Sequence, residues 1–259
     1  MKKPYLLVIT AVLYLVLTGG TSLAKDSGAE KIEALKQVVE RVPDSASAHF
    51  LLGSAYDVYG MSKEAIEPLK QAIGIDPENA LYHSRLGSVY FNLRMYKQAI
   101  EACKQAVKIN SDDAAAHTCL GFSYDKLGMY KEARESYKQA IRIDPDDAMI
   151  HFSLGAAYGS LGMFKEAIEA FKQAIRIDPD DAMAHYNLGL AYFRLDMYKE
   201  ARESYKQAIR IDPDDAEYHY TLGLVYILSN DRGSALEQYK ILKNLNSEKA
   251  NELFNMIYE

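Results

Sequence analysis

No tryptophan occurs in the 259 residues, against twenty tyrosines, and histidine occurs only six times. No acidic run or basic block breaks the mixed charge pattern, and the formal net charge is −6. Nucleic-acid binding calls for clustered Lys and Arg, so that class of partner is excluded. Also missing are a nucleophile elbow, a zincin motif and a phosphate-binding loop, so neither a cofactor nor catalysis is expected.

The scarce histidines carry the first positive signal. His49, His83, His117, His151, His185 and His219 are each 34 residues apart. Met129–Ala148 recurs residue for residue at Met197–Ala216, two periods later. A fixed period between about 20 and 50 residues marks an array of stacked units, each touching only its neighbours. The tyrosine surplus follows from copying one tyrosine-rich unit, and 49% apolar residues suffice for burial.

The first residues are a different material. Lys2 and Lys3 precede an uncharged run from Pro4 to Ala24, with an apolar heart over Tyr5–Leu17 and a small-residue exit at Ser22-Leu23-Ala24. This reads as a secretory signal over residues 1–24, cleaved after Ala24. The rival reading is an uncleaved membrane anchor, since so long an uncharged run can span a bilayer. In both readings the repeats are exported, to the periplasm or the extracellular space. Contact with a membrane is expected only through an anchor.

Ala114–Asp147 serves as the type unit. His117, Leu120, Gly121 and Tyr124 fall at i, i+3, i+4 and i+7, the stripe of an amphipathic helix. Gly128 closes it by taking the left-handed conformation. A second helix follows, with Ala133, Tyr137, Ala140 and Ile141 on one face, and Pro145 stops it. Asp146 and Asp147 can cap the helix that comes next. The unit is a helical hairpin whose remaining apolar face needs another hairpin to cover it.

At this level of detail the unit resembles a tetratricopeptide repeat. The family's Leu-Gly, Tyr, Ala, aromatic, Ala and Pro places are held by Leu154-Gly155, Tyr158, Ala167, Phe171, Ala174 and Pro179, and by equivalents in the other copies. The family's early Trp is His throughout, Ser111 replaces one Pro, Cys103 replaces one aromatic, and Leu242 takes the last second small place. The resemblance implies an all-α, right-handed α-solenoid of six hairpins, at residues 46–79, 80–113, 114–147, 148–181, 182–215 and 216–249. Residues 25–45, opened by a capping box at Ser27 and Glu30, align with half a repeat and should cover the first hairpin. Residues 250–259 should form a helix capping the last one.

Several constellations invite a chemical reading. The histidines cannot share zinc, because equivalent residues on stacked helices lie roughly 8–10 Å apart or more; metal binding is not expected. As buried neutral rings they should instead make stability fall in acid. The Asp144, Asp146 and Asp147 turns lack the glycine bend and distant Glu of an EF-hand and read as caps. Lys131, Lys138 and Arg142, interleaved with Glu132 and Glu135, read as a solvated face. Cys103 and Cys119 lie at similar heights on antiparallel helices; a disulfide and two buried thiols are both open.

Counting Ala46 as position 1, positions 4, 7, 8 and 11 of the first helix form the expected core stripe, and 2, 5, 9, 12 and 13 point away from it. The resemblance makes the latter the lining of a concave groove that holds a peptide or protein partner. The candidates are Phe50, Phe91 and Phe122, then Met149, Phe152, Met183, Tyr186, Leu190, Phe193, Tyr220, Leu224 and Ile227. Apolar residues off the core mark recognition surfaces. The Lys and Asn clamp that family members use on a C-terminal carboxylate is echoed only by Asn187. The expected function is an exported adaptor that assists assembly of an envelope complex. Its alternatives are a self-assembling scaffold and an accessory subunit of a membrane-bound enzyme or secretion complex.

Overall fold

A computed structural model describes residues 26–258, and the regular elements there are all helices. They are α1 (Asp26–Arg41), α2 (Ala46–Val58), α3 (Ser62–Ile75), α4 (Ala80–Asn92), α5 (Tyr96–Ile109), α6 (Ala114–Lys126) and α7 (Tyr130–Ile143). Then come α8 (Ala148–Ser160), α9 (Phe164–Ile177), α10 (Ala182–Phe193), α11 (Tyr198–Ile211), α12 (Ala216–Leu228), α13 (Arg232–Asn244) and α14 (Lys249–Tyr258). The leader-or-anchor segment, residues 1–24, lies outside the described residues. None of the described helices is long and apolar enough to cross a membrane.

The helix ends follow from local chemistry. Asp113, Asp147, Asp181 and Asp215 each accept backbone N–H groups from the first turn of the helix they precede, as does Ser45. At α1 the expectation fails: the helix already includes Asp26, so Ser27 stands inside it rather than ahead of it. Position 15 is left-handed in every copy, as Gly60, Gly128 and Gly162 and also as Arg94, Asp196 and Asn230. The N–H that follows folds back to a carbonyl in the last turn, as from Met61 to Tyr56 at 2.8 Å and from Met163 to Tyr158 at 2.9 Å. This is the Schellman closure, which satisfies carbonyls that the helix end leaves orphaned.

The helices form two compact units, one ending at Leu127 and the other beginning at Gly128. Within each unit a first helix packs on its own second helix, as α4 on α5 or α10 on α11, and the second packs on the first helix of the next copy. Successive first helices also touch, α4 with α6 in one unit and α8 with α10 in the other. Each first helix is therefore enclosed on more than one side, which rotates the buried stripe from the one expected. Position 3 is buried in all six copies, as Ala48, Tyr82, Ala116, Ile150, Ala184 and Tyr218, while the histidine at position 4 is buried only as His117 and His219.

The histidines have a different task. In every copy Nε2 donates to the carbonyl oxygen six residues earlier, from His49 to Pro43 at 2.8 Å through His219 to Pro213 at 2.9 Å. Each ring thus clips its helix to the turn that leads into it. Both neutral and protonated imidazole can carry the Nε2 hydrogen. The expected loss of stability in acid presupposes buried rings, and only His117 and His219 are buried.

Gly at position 8 sets how closely two helices approach. A Cβ on Gly155 would stand 2.7 Å from Phe171, and one on Gly189 would stand 2.5 Å from Tyr205. Gly223 departs from this, since its contact is Leu253 of α14 rather than Tyr239 of α13. The terminal helix thereby fills the place that the aromatic of the second helix holds in copies four and five.

Candidate partner-binding site

The first-helix face of the second unit is apolar at positions 2 and 5 of copies four and five. Met149 and Met183, one copy apart, are 57% and 49% exposed. Beside them Phe152 stacks on Phe171 with ring centroids 5.6 Å apart. Tyr186 lies 5.7 Å from Tyr205 and 4.9 Å from Tyr218. Burial and the adjacent Glu217 carboxylate hold the Tyr186 hydroxyl above its ordinary pKa, and that hydroxyl donates to Glu217 Oε1 at 3.5 Å.

Next to Met149 lies a cleft of about 540 Å³ with Met149, Phe152 and Ile177 on its apolar side. Ala148 and the aspartates Asp144, Asp146, Asp147, Asp178 and Asp181 complete the lining, and no Lys or Arg is among the lining residues. Asp147 and Asp181 are partly occupied as helix caps. Among the described residues no three His, Cys, Asp or Glu side chains are grouped so as to hold a metal ion.

Most of the other expected contacts are half-buried rather than open. Tyr186, Leu190, Phe193, Tyr220, Leu224 and Ile227 pack against the core of the second unit. Lys249 of α14 sits 4.6 Å above the Tyr220 ring and pairs with Glu217 at 2.6 Å, so the terminal helix covers part of copy six. The physical reason lies in the spacing: a ring at position 5 meets the residue at position 3 of the next copy, as Phe50 meets Tyr82 at 5.0 Å. Position 2 escapes this cover. Leu81, at the same position and 55% exposed, was not among the sequence candidates; its equivalence to Met149 and Met183 was the available signal.

In the first unit the same face is largely polar. Asp57 accepts from Ser62 at 2.8 Å and from Asn92 at 3.3 Å, and Arg85 approaches it at 4.0 Å. Thr118 and Ser88 turn their hydroxyls back onto their own helices. Phe91 stacks against Tyr96 and Phe122 at 5.7 and 6.0 Å. On α7, in the second unit, Lys138 of the basic line stands 4.0 Å from the Glu135 carboxylate, which Arg134 also pairs with at 2.7 Å. Cys103 and Cys119 are both buried free thiols.

Models described as TPR repeat match residues 123–162 and 160–196, and tetratricopeptide repeat models match 32–80, 80–113 and 182–215. The chain belongs to the tetratricopeptide repeat family. None of these models describes an enzyme. Among curated proteins nothing matches this tetratricopeptide chain. Among solved structures, MamA is 31% identical, with 61% of this chain and 93% of MamA covered at a TM-score of 0.57. YrrB, described as a TPR protein with an unusual peptide-binding site, is 24% identical; 73% of this chain and 98% of YrrB are covered at a TM-score of 0.67. The C-terminal part of a TPR repeat-containing protein from Cytophaga hutchinsonii is 16% identical, covering 95% and 98% at a TM-score of 0.77. Those last two likenesses establish the repeat fold alone.

Proposed function

We propose that this protein is an exported, non-catalytic adaptor. It binds an extended peptide or protein segment along the first helices of copies four and five and assists assembly of an envelope complex. The observation that carries the binding reading is the exposure of Met149 and Met183 beside a cleft walled by five aspartates. Isolated apolar residues on a surface are common, but two at equivalent places on adjacent copies, backed by Phe152 and Tyr186, make a patch. The fold is one in which a relative, YrrB, is described as binding a peptide. The carboxylates favour a partner with a Lys or Arg beside apolar side chains, since charge complementarity selects among partners of equal greasiness.

Export rests on the uncharged run that ends at Ala24. Fractionation of producing cells and N-terminal sequencing tests it: a mature chain starting at Lys25 supports cleavage, an intact N-terminus in the membrane fraction supports the anchor, and an intact cytosolic chain refutes both. Binding is tested by selecting peptides from a random library on the purified protein. Replacing both methionines, Met149→Ser and Met183→Ser, should weaken the best selected peptide at least about tenfold, a loss of about 1.4 kcal/mol. Undiminished binding at unchanged helicity refutes the site.

A second reading is self-association through the other end of the second unit. There α14 leaves Phe254, Met256 and Tyr258 exposed, and Phe254 stacks between Tyr239 at 5.1 Å and Tyr258 at 4.7 Å. Sedimentation at micromolar concentration decides it: a monomer removes the scaffold reading, whereas a dimer dispersed by Phe254→Ser supports it.

A further inference from the structure

The chain's two cysteines break the repeat pattern at two positions, and those positions face each other. Cys103 stands at position 24, where the other five copies carry one leucine and four aromatics. Cys119 stands at position 6 of the next copy, where the others carry leucine, arginine, serine, asparagine or threonine. Both belong to one buried cluster where α5 packs on α6, together with Ala99, Ile100, Ala116 and Leu120. The two buried thiols sit close enough to perturb each other's ionisation, and Cys119 Sγ is 4.0 Å from the Ser123 hydroxyl. Thiols in one cluster on two packed helices can reach the bonding distance of about 2.05 Å by side-chain rotation and a modest backbone shift.

We propose that Cys103 and Cys119 close into an intramolecular disulfide that ties α5 to α6 when the chain meets a thiol–disulfide oxidant. Cys119 reacts first. The hydrogen bond from Cys103, aided by the Ser123 hydroxyl, draws its thiol pKa down, whereas that same contact and burial push Cys103 up. Cys119 also keeps a trace of exposure that Cys103 lacks. The Cys119 thiolate attacks one sulfur of the oxidant's disulfide and expels the other as a thiolate. Cys103, deprotonated in turn, attacks the Cys119 sulfur of the mixed disulfide and expels the second thiolate. The two protons from the protein thiols end on the two departing thiols; the protein is oxidised by two electrons and the oxidant's disulfide is reduced.

The test uses the full chain incubated with excess oxidised glutathione, both folded and during refolding, then quenched in acid, unfolded and alkylated. The expected product takes up no alkylating agent, is lighter by two hydrogens, and yields a Cys103–Cys119 cross-linked peptide on digestion. Its melting temperature should exceed that of the reduced chain by roughly 6–12 °C, given the short loop that the bond closes. In Cys119→Ser the same treatment should leave Cys103 open to alkylation and the melting temperature unraised. If that variant does not fold, the oxidised and reduced wild-type chains provide the comparison. Two alkylated cysteines after exhaustive incubation, or each cysteine recovered as a glutathione adduct, would overturn the proposal. A bridged chain that melts no higher than the reduced one would also count against it.

Discussion

The two units share one plan and spend it differently. Position 7 is a buried leucine from Leu52 to Leu222, and position 20 is a buried alanine from Ala65 to Ala235. Position 5 reads Phe50, Ser84 and Thr118 in the first unit but Phe152, Tyr186 and Tyr220 in the second. At position 24 the first unit places Leu69 and Cys103, and the second Tyr137, Phe171, Tyr205 and Tyr239. A core needs only fill and shape, so constancy at positions 7 and 20 speaks of packing. Divergence on the face beside it is free to serve recognition, and only the second unit is apolar there in every copy.

The largest way to probe this difference is at position 24. Phe171→Ala should cost about 3–5 kcal/mol in urea unfolding, whereas reduced Cys103→Ala removes one small group and should cost about 1 kcal/mol. Equal costs would mean that the two cores are not filled as described. On the surface the order reverses. The double change Met149→Ser and Met183→Ser should alter stability by no more than about 0.5 kcal/mol while weakening peptide binding at least about tenfold, because neither side chain is buried. Smallest is the effect at the left-handed turn, where the copies carry three glycines and Arg94, Asp196 and Asn230. Arg94→Gly should raise stability by roughly 0.5–1 kcal/mol, with relief of strain partly offset by the entropy of the unfolded chain. A loss of stability there would show that the Arg94 side chain contributes more than its backbone strain takes away.

Much of this plan was legible in the period. The histidine ladder set the unit length, Gly128 set the turn, and the aspartates before four of the six first helices announced their capping role. What a single helical wheel could not give was the enclosure of each first helix by two neighbours. That enclosure moved the buried stripe onto Tyr82 and Tyr218 and left four of the histidines only partly covered. It also decided which groove residues stay open. A wheel treats Phe152 and Met149 alike, yet one ring leans on Phe171 and the other side chain reaches solvent. The shared cluster of the two cysteines was only half legible, because spacing gave their heights along the helices but not their common burial.

The most direct measurement is amide hydrogen exchange of the full chain with and without a library-selected peptide. Added protection confined to α8 and α10 and the turns before them is the predicted result. Protection on α2 and α4, or none on α8 and α10 at saturating peptide, would contradict the assignment of recognition to the second unit.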